Sequence, residues 1–143
     1  MDKVQIVYWS ATGNTEEMAN AIAEGVKEAG AIAEVISVES ADKEALLTAN
    51  AFALGCPAMG AEELEEGDME PFVASIEGSV SGKQILLFGS YDWGDGEWMR
   101  LWVERMQNAG ASIIGGEGII ANNEPDDEAK EACKEAGKKL AGL

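Results

Sequence analysis

One stretch constrains this chain more than any other: Lys3–Thr15, an apolar run that stops abruptly in a string of small polar residues. Val4, Ile6, Val7, Tyr8 and Trp9 make a near-continuous apolar segment, the pattern of a central parallel strand covered on both faces. Ser10-Ala11-Thr12-Gly13-Asn14-Thr15 follows, each residue small or carrying a short hydroxyl or amide. Met18, Ala19, Ile22, Ala23 and Val26 then fall on one face of a helix. Strand, small polar loop and helix start together aim free backbone N–H groups and a positive helix end at one point, which suits an anion. The hydroxyls of Ser10, Thr12 and Thr15 can add donors, and Gly13 allows a positive φ or a close approach. No lysine or arginine lies between Lys3 and Lys27, so the anion is expected to be held by neutral donors. An ordinary capped helix start accounts for Thr12 or Asn14 but not for the whole run. A phosphate site accounts for all of it.

The rest of the chain repeats the alternation of strand and helix. A second strand is expected over Ala31–Val38 and a short helix over Asp42–Ala49. A third strand, Asn50–Cys56, is stopped by Pro57. Met69, Phe72, Val73 and Ile76 form a helical stripe, and Gly82 leads into a fourth strand, Gln84–Ser90. Met99, Trp102, Val103 and Met106 mark the next helix. A fifth strand, Ser112–Ala121, is interrupted by Gly115, Gly116 and Gly118, and Asp126–Leu140 is the last helix. Strands alternating with helices over 1–143 predict a single α/β domain with a parallel sheet wrapped on both faces. Ligands of such sheets sit beyond the C-terminal strand ends, where loops 10–15, 57–62 and 90–97 are expected to meet.

Composition narrows the function. Two cysteines make neither a disulfide framework nor a metal cluster, and the absence of histidine removes a histidine base and most zinc or haem sites. The net charge of −17 argues against nucleic acid and against anionic membranes. It suits a basic protein partner that must be found and released quickly. No apolar run is long enough for a membrane span and no leader pattern is present, so a cytoplasmic location is expected.

Several phosphate chemistries fail on residue type. The loop lacks the lysine of a G-x-x-x-x-G-K-[ST] motif and also lacks G-x-G-x-x-G, which disfavours triphosphates and dinucleotides. A receiver domain would need clustered aspartates where Ser10 and Ala11 stand, and a cysteine phosphatase would need a loop cysteine and arginine. A mononucleotide remains, its ring gripped by the other two loops. Met59 offers a polarisable apolar face, and Tyr91 and Trp93 flank Asp92 as stacking partners. Glu62 can accept from an imide N–H, or is one more solvated acid among the six in 62–70.

The chain resembles a flavodoxin over its whole length, of the short-chain kind found in anaerobic bacteria. The resemblance rests on I-V-Y-W-S-A-T-G-N-T (6–15), G-C-P-A-M-G (55–60), G-S-Y-D-W-G-D-G-E-W-M (89–99) and N-E-P-D (123–126). It implies a doubly wound five-stranded parallel sheet in the order 2-1-3-4-5, with FMN between the first and third strands. By the same resemblance, Ser10, Ala11, Thr12, Gly13, Asn14 and Thr15 wrap the FMN phosphate, and Ser90 adds a donor. Pro57, Ala58, Met59 and Gly60 pass along one side of the flavin, with Met59 towards its inner face. Trp93 stacks on the outer face, Glu62 meets the flavin N3–H, and the backbone of Tyr91, Asp92 and Gly94 approaches the pyrimidine edge. The Gly60 carbonyl is expected to turn towards the ring on reduction, which needs a positive φ at Gly60; the alternative turn puts it at Ala61.

The function implied is a low-potential one-electron carrier, a monomer that shuttles electrons between redox partner proteins with basic docking faces. Acids in 62–70 with Asp92, Asp95 and Glu97 would oppose extra negative charge on the flavin and steer partners. The alternative is a small FMN-dependent NAD(P)H/quinone-type reductase, although nothing in the chain looks like a nicotinamide site or a substrate lid. An FMN-free acidic docking module is a third reading.

Overall fold

Val4, Ile6 and Val7 have no exposed surface, as a strand flanked on both edges and both faces requires. The computed structural model describes all residues, Met1–Leu143. It contains β1 (Lys3–Tyr8), α1 (Asn14–Glu28), β2 (Ile32–Ser37), α2 (Lys43–Leu47), β3 (Ala51–Gly55), α3 (Met69–Ile76) and β4 (Gln84–Tyr91). After these come α4 (Glu97–Asn108), β5 (Ser112–Ile113), β6 (Ile119–Asn122) and α5 (Asp127–Ala141). All strand pairs are parallel, in the order β2-β1-β3-β4-β5, with β6 also on β4. This is the flavodoxin-like arrangement expected from the sequence.

The fifth strand differs from expectation in one respect. Ser112–Ile113 pairs with Gln84–Ile85, and Ile119–Asn122 pairs with Phe88–Tyr91, so one sheet position is filled by two short pieces. Gly115 and Gly116 both adopt φ of 81°, which takes the backbone out of the ladder between them.

Alternation along the strands sorts the core into two layers. Phe52 and Leu54 of β3 and Ile85 and Leu87 of β4 face α3 and α4, against Met69, Val73, Trp98 and Trp102. Ala51 and Ala53, with Leu86 and Phe88, face α1 and α5 on the other side. There α1 and α5 cross at van der Waals contact of their backbones. A Cβ at Gly25 would lie 1.9 Å from Lys134 O, and one at Gly137 would lie 2.1 Å from Ile22 O. The pairing of α3 with α4 is fastened by Arg105, whose guanidinium donates to Glu77 at 3.0 and 3.1 Å and to Glu70 at 2.7 Å. Helix α1, which starts at the polar loop, is held on its own face of the sheet by the close crossing with α5.

Candidate functional site

Trp9 N donates to Gly55 O at 2.9 Å, carrying β1 one residue past its last strand pairing before the chain turns. Gly13 then takes φ of 95° as the residue preceding α1. That turn brings Ser10 Oγ within reach of Gly13 N (3.2 Å) and Glu16 N (3.4 Å), so Ser10, not Thr12 or Asn14, supplies the capping oxygen. The N–H groups of Ala11, Thr12, Asn14 and Thr15 have no protein acceptor. Four unpaired donors at a helix N-terminus are what a phosphate group would satisfy.

Thr15 and Ser90 join this loop to the end of β4. Their hydroxyls are 3.0 Å apart and Ser90 N donates to Thr15 Oγ1 at 3.3 Å, both residues being buried. Ser90 O in turn accepts from Ala58 N at 3.0 Å, which fixes the start of the second loop. Beyond it, Met59 and Glu63 exchange two backbone hydrogen bonds of 2.8 Å, closing a tight hairpin over Gly60-Ala61-Glu62. Positive φ falls at Gly60 (50°) and at Glu62 (56°), and Ala61 is not left-handed. The observed turn is thus a three-residue loop between Met59 and Glu63, one residue longer than the expected turn over 59–62, with left-handed backbone at Gly60 and Glu62.

Left-handed backbone is unusual for glutamate and carries strain. Here it aims the side chain across the gap between loops: Glu62 Oε1 accepts from Gly96 N at 3.3 Å. The carboxylate fits against Gly94, where a Cβ would lie 2.4 Å from Oε1. Glu62 thus bridges the second and third loops.

Behind the hairpin, Cys56 anchors both flanking elements. Its carbonyl accepts from Trp98 Nε1 at 3.1 Å, and its sulfur accepts from Glu65 N at 3.4 Å. Glu65 closes the N-terminus of α3, its carboxylate accepting from Gly67, Asp68 and Met69 N–H at 2.6, 2.7 and 2.9 Å. Burial opposes ionisation of Glu65, but the donors from Met69, Asp68 and Gly67 outweigh it and hold the carboxyl below its usual range. Of the six acids in 62–70, Glu65 is spent on this cap and Glu70 on Arg105.

The loops enclose a cleft of about 280 Å³. Ala11, Thr12 and Asn14 line it from the first loop, and Pro57, Ala58 and Met59 from the second. Ser90, Tyr91 and Asp92 line it from the third. Ser10, Gly13 and Thr15 lie behind this lining and hold the first loop's shape, while Glu62 and Gly94 lie at the junction of the other two loops. Gly60 is exposed at the hairpin tip. Trp93 is 60% exposed, an indole with no protein partner on most of its surface. Tyr91 is held by Trp98, the rings 5.6 Å apart and tilted by 49°.

Asn123 also lines the cleft and was not among the expected site residues. Its N–H donates to Tyr91 O at 2.7 Å while its own φ is 58°, a conformation asparagine tolerates. The N-E-P-D motif that contains it was the available signal. Asp92 is the single carboxylate lining the cleft, and no cation does, so the donors the cleft offers an anion are neutral N–H and hydroxyl groups.

Comparison with known proteins agrees with the fold. The flavodoxin family profile matches residues 6–137. The chain is 48% identical over 140 residues to a flavodoxin of Clostridium beijerinckii, covering 98% of this chain and all of that one. It is 47% identical over 138 residues to the flavodoxin of Megasphaera elsdenii, covering 96% of this chain and 98% of that one. The solution structure of the two-electron reduced Megasphaera elsdenii flavodoxin superposes with a TM-score of 0.89 at 45% identity, covering 98% of this chain and 99% of that one.

Proposed function

As this chain belongs to the flavodoxin family, we propose that the loops at 10–15, 57–62 and 90–94 hold the FMN with which it carries electrons. It is an electron-transfer flavoprotein that works with redox partner proteins, and the enzyme alternative is not favoured. The observation that carries the site assignment is the set of four unpaired N–H groups at Ala11, Thr12, Asn14 and Thr15, on a loop that lines the same cleft as Met59, Tyr91 and Asp92.

The residues present fit the cofactor's chemistry. Ala11, Thr12, Asn14 and Thr15 donate to the phosphate, with Ser10 and Gly13 setting the loop and Ser90 bracing it through Thr15. Pro57, Ala58, Met59 and Gly60 cover one side of the ring. Trp93 covers the other and keeps water from that face. Glu62, already reaching between loops, accepts from the ring's imide edge, where the backbone of Tyr91, Asp92 and Gly94 also approaches. Bound FMN supplies the one-electron chemistry, and the protein sets its potentials and limits its exposure.

Charge placement supports a low potential. Asp92 lines the cleft without a cation partner, and Glu62, Glu63, Glu66 and Asp68 after β3 and Glu97 at the start of α4 have none either. They oppose additional negative charge nearby, and about 1.4 kcal/mol of such repulsion corresponds to roughly 59 mV for one electron. The same acids steer partners with basic docking faces to a monomer in the cytoplasm. No helix is long and apolar enough to cross a membrane.

The test is an anaerobic titration of the purified yellow protein with dithionite, followed by mass analysis of the released chromophore. FMN reduced in two resolved one-electron steps, and left oxidised by NADPH alone, is the expected result. Released FAD, or rapid bleaching by NADPH, would overturn the reading.

A further inference from the structure

β6 leaves the sheet with an open edge next to the cleft. Asn123 N donates inward to Tyr91 O, and hydrogen-bonding direction alternates along a strand, so Ile119 and Ala121 also face β4. The main-chain groups of Ile120 and Asn122 therefore point away from the sheet, where no strand pairs with them. The opposite edge strand, β2, carries Glu34 in mid-strand, a charge that discourages further pairing. The segment Gly118–Asn123 carries no charge.

A hollow lies on each side of this edge. One of about 330 Å³ sits between β6 and α5, walled in part by Glu124 and Glu128. The other, about 270 Å³, sits between β6 and α4, with Met99, Val103 and Gly96 on its wall. Ile120 lines both and is 37% exposed. An added strand needs an unpaired ladder and room for side chains on alternate faces. Both are present here.

We propose that β6 is a docking edge at which an extended segment of a redox partner adds as a further strand. Its alternate apolar side chains enter the two hollows, and its lysine or arginine residues meet Glu124 and Glu128. A second copy of this chain is the wrong occupant, because it would bring the same carboxylates and another −17 of charge to the contact. The position has a functional consequence that rests on the electron-carrier reading. β6 runs directly into Asn123, which lines the cleft, and a Cβ at Gly96 would lie 3.1 Å from Ile120 Cδ1. A partner strand on this edge places its owner beside the third loop.

The probe is a short capped peptide alternating valine and threonine with a lysine at each end, titrated into the FMN-loaded full chain at low salt. The readout is amide hydrogen exchange by NMR. Exchange at Ile120 and Asn122 is expected to slow about tenfold or more on binding, and Ile120→Lys to weaken binding at least about tenfold. The double variant Glu124→Gln/Glu128→Gln, which leaves the edge backbone alone, should weaken it several-fold. A scrambled peptide of equal charge that binds equally well would overturn the proposal, as would protection centred on 92–97 or a dimer of the free chain in sedimentation. The flavin spectrum is recorded in the same samples. A failure to hold FMN would sink the carrier reading, whereas the exchange pattern judges the edge by itself.

Discussion

The hydroxyl oxygens of Thr15 and Ser90 lie 3.0 Å apart at the buried base of the cleft, 75 residues apart in sequence. This pair joins the loop after β1 to the end of β4, so the loop with the unpaired N–H groups is positioned by tertiary contact rather than by local sequence alone. Thr15→Val would leave the Ser90 hydroxyl and N–H buried without that partner. A loss of roughly 1–3 kcal/mol is expected, read as a lower urea midpoint of the FMN-free protein. Unchanged midpoints would show that the pair is not a brace.

Trp93 has the opposite character, a large ring left mostly exposed. Trp93→Ala should leave folding stability almost unchanged and weaken FMN binding by roughly 1–3 kcal/mol, with base stacking as the proxy. Fluorescence titration measures both affinity and quenching of the flavin. Equal affinity and equal quenching in the variant would remove Trp93 from the site.

At Gly60 the backbone, not space, is the constraint. Its φ is 50° and a Cβ there would meet nothing within 4 Å. Gly60→Ala therefore penalises only the positive-φ turn, by roughly 1–2 kcal/mol. If that turn accompanies reduction, the first one-electron potential should fall by roughly 40–90 mV. Potentiometry decides it; a change within about 10 mV would mean that the turn does not couple to the flavin.

The crossing of α1 and α5 predicts a different kind of loss. Gly137→Ala puts a Cβ where Ile22 O stands, so the helix backbones must separate. Destabilisation of roughly 1–3 kcal/mol or more is expected, with one-electron potentials unchanged because the cleft lies elsewhere. Thermal melts and potentiometry on one sample separate the two effects.

Acid should loosen α3 through Glu65. With its carboxyl held below the usual range, the folded chain binds fewer protons there than the unfolded chain does. Its contribution is thus complete above the unfolded carboxylate pKa, about 4.3, and is lost as pH falls through the lower folded value. Glu77, held down by the Arg105 hydrogen bonds against the opposing effect of burial, acts in the same direction. Urea midpoints measured from neutral to acid pH should fall less steeply in Glu65→Gln than in the parent. Parallel curves would exclude the cap as a source of acid sensitivity.

What could be read from sequence was whatever local pattern determines. The apolar run of β1, the small polar loop and the stripe of α1 are contiguous, and the element order that follows leaves few ways to wind the sheet. Residues whose roles depend on distant partners were not legible. Ser10 rather than Thr12 or Asn14 caps α1 because Gly13 turns the chain back on itself. The left-handed backbone of Glu62 follows from a notch at Gly94 and Gly96, more than thirty residues away. The glycines after Ile113 announced an interruption, but where the ladder resumes is decided by β4. Asn123 faces the cleft because its N–H is held by Tyr91.

The two cysteines fall one on each side of the sheet, Cys56 with the α3–α4 layer and Cys133 with the α1–α5 layer. Burial pushes each thiol up to about 12, so neither is a nucleophile at neutral pH while its layer stays closed. Each becomes reactive only when water enters its own side. An alkylating reagent applied to the native protein would therefore clock the opening of the two faces separately, one sulfur reporting on the layer of α3 and α4 and the other on the layer of α1 and α5.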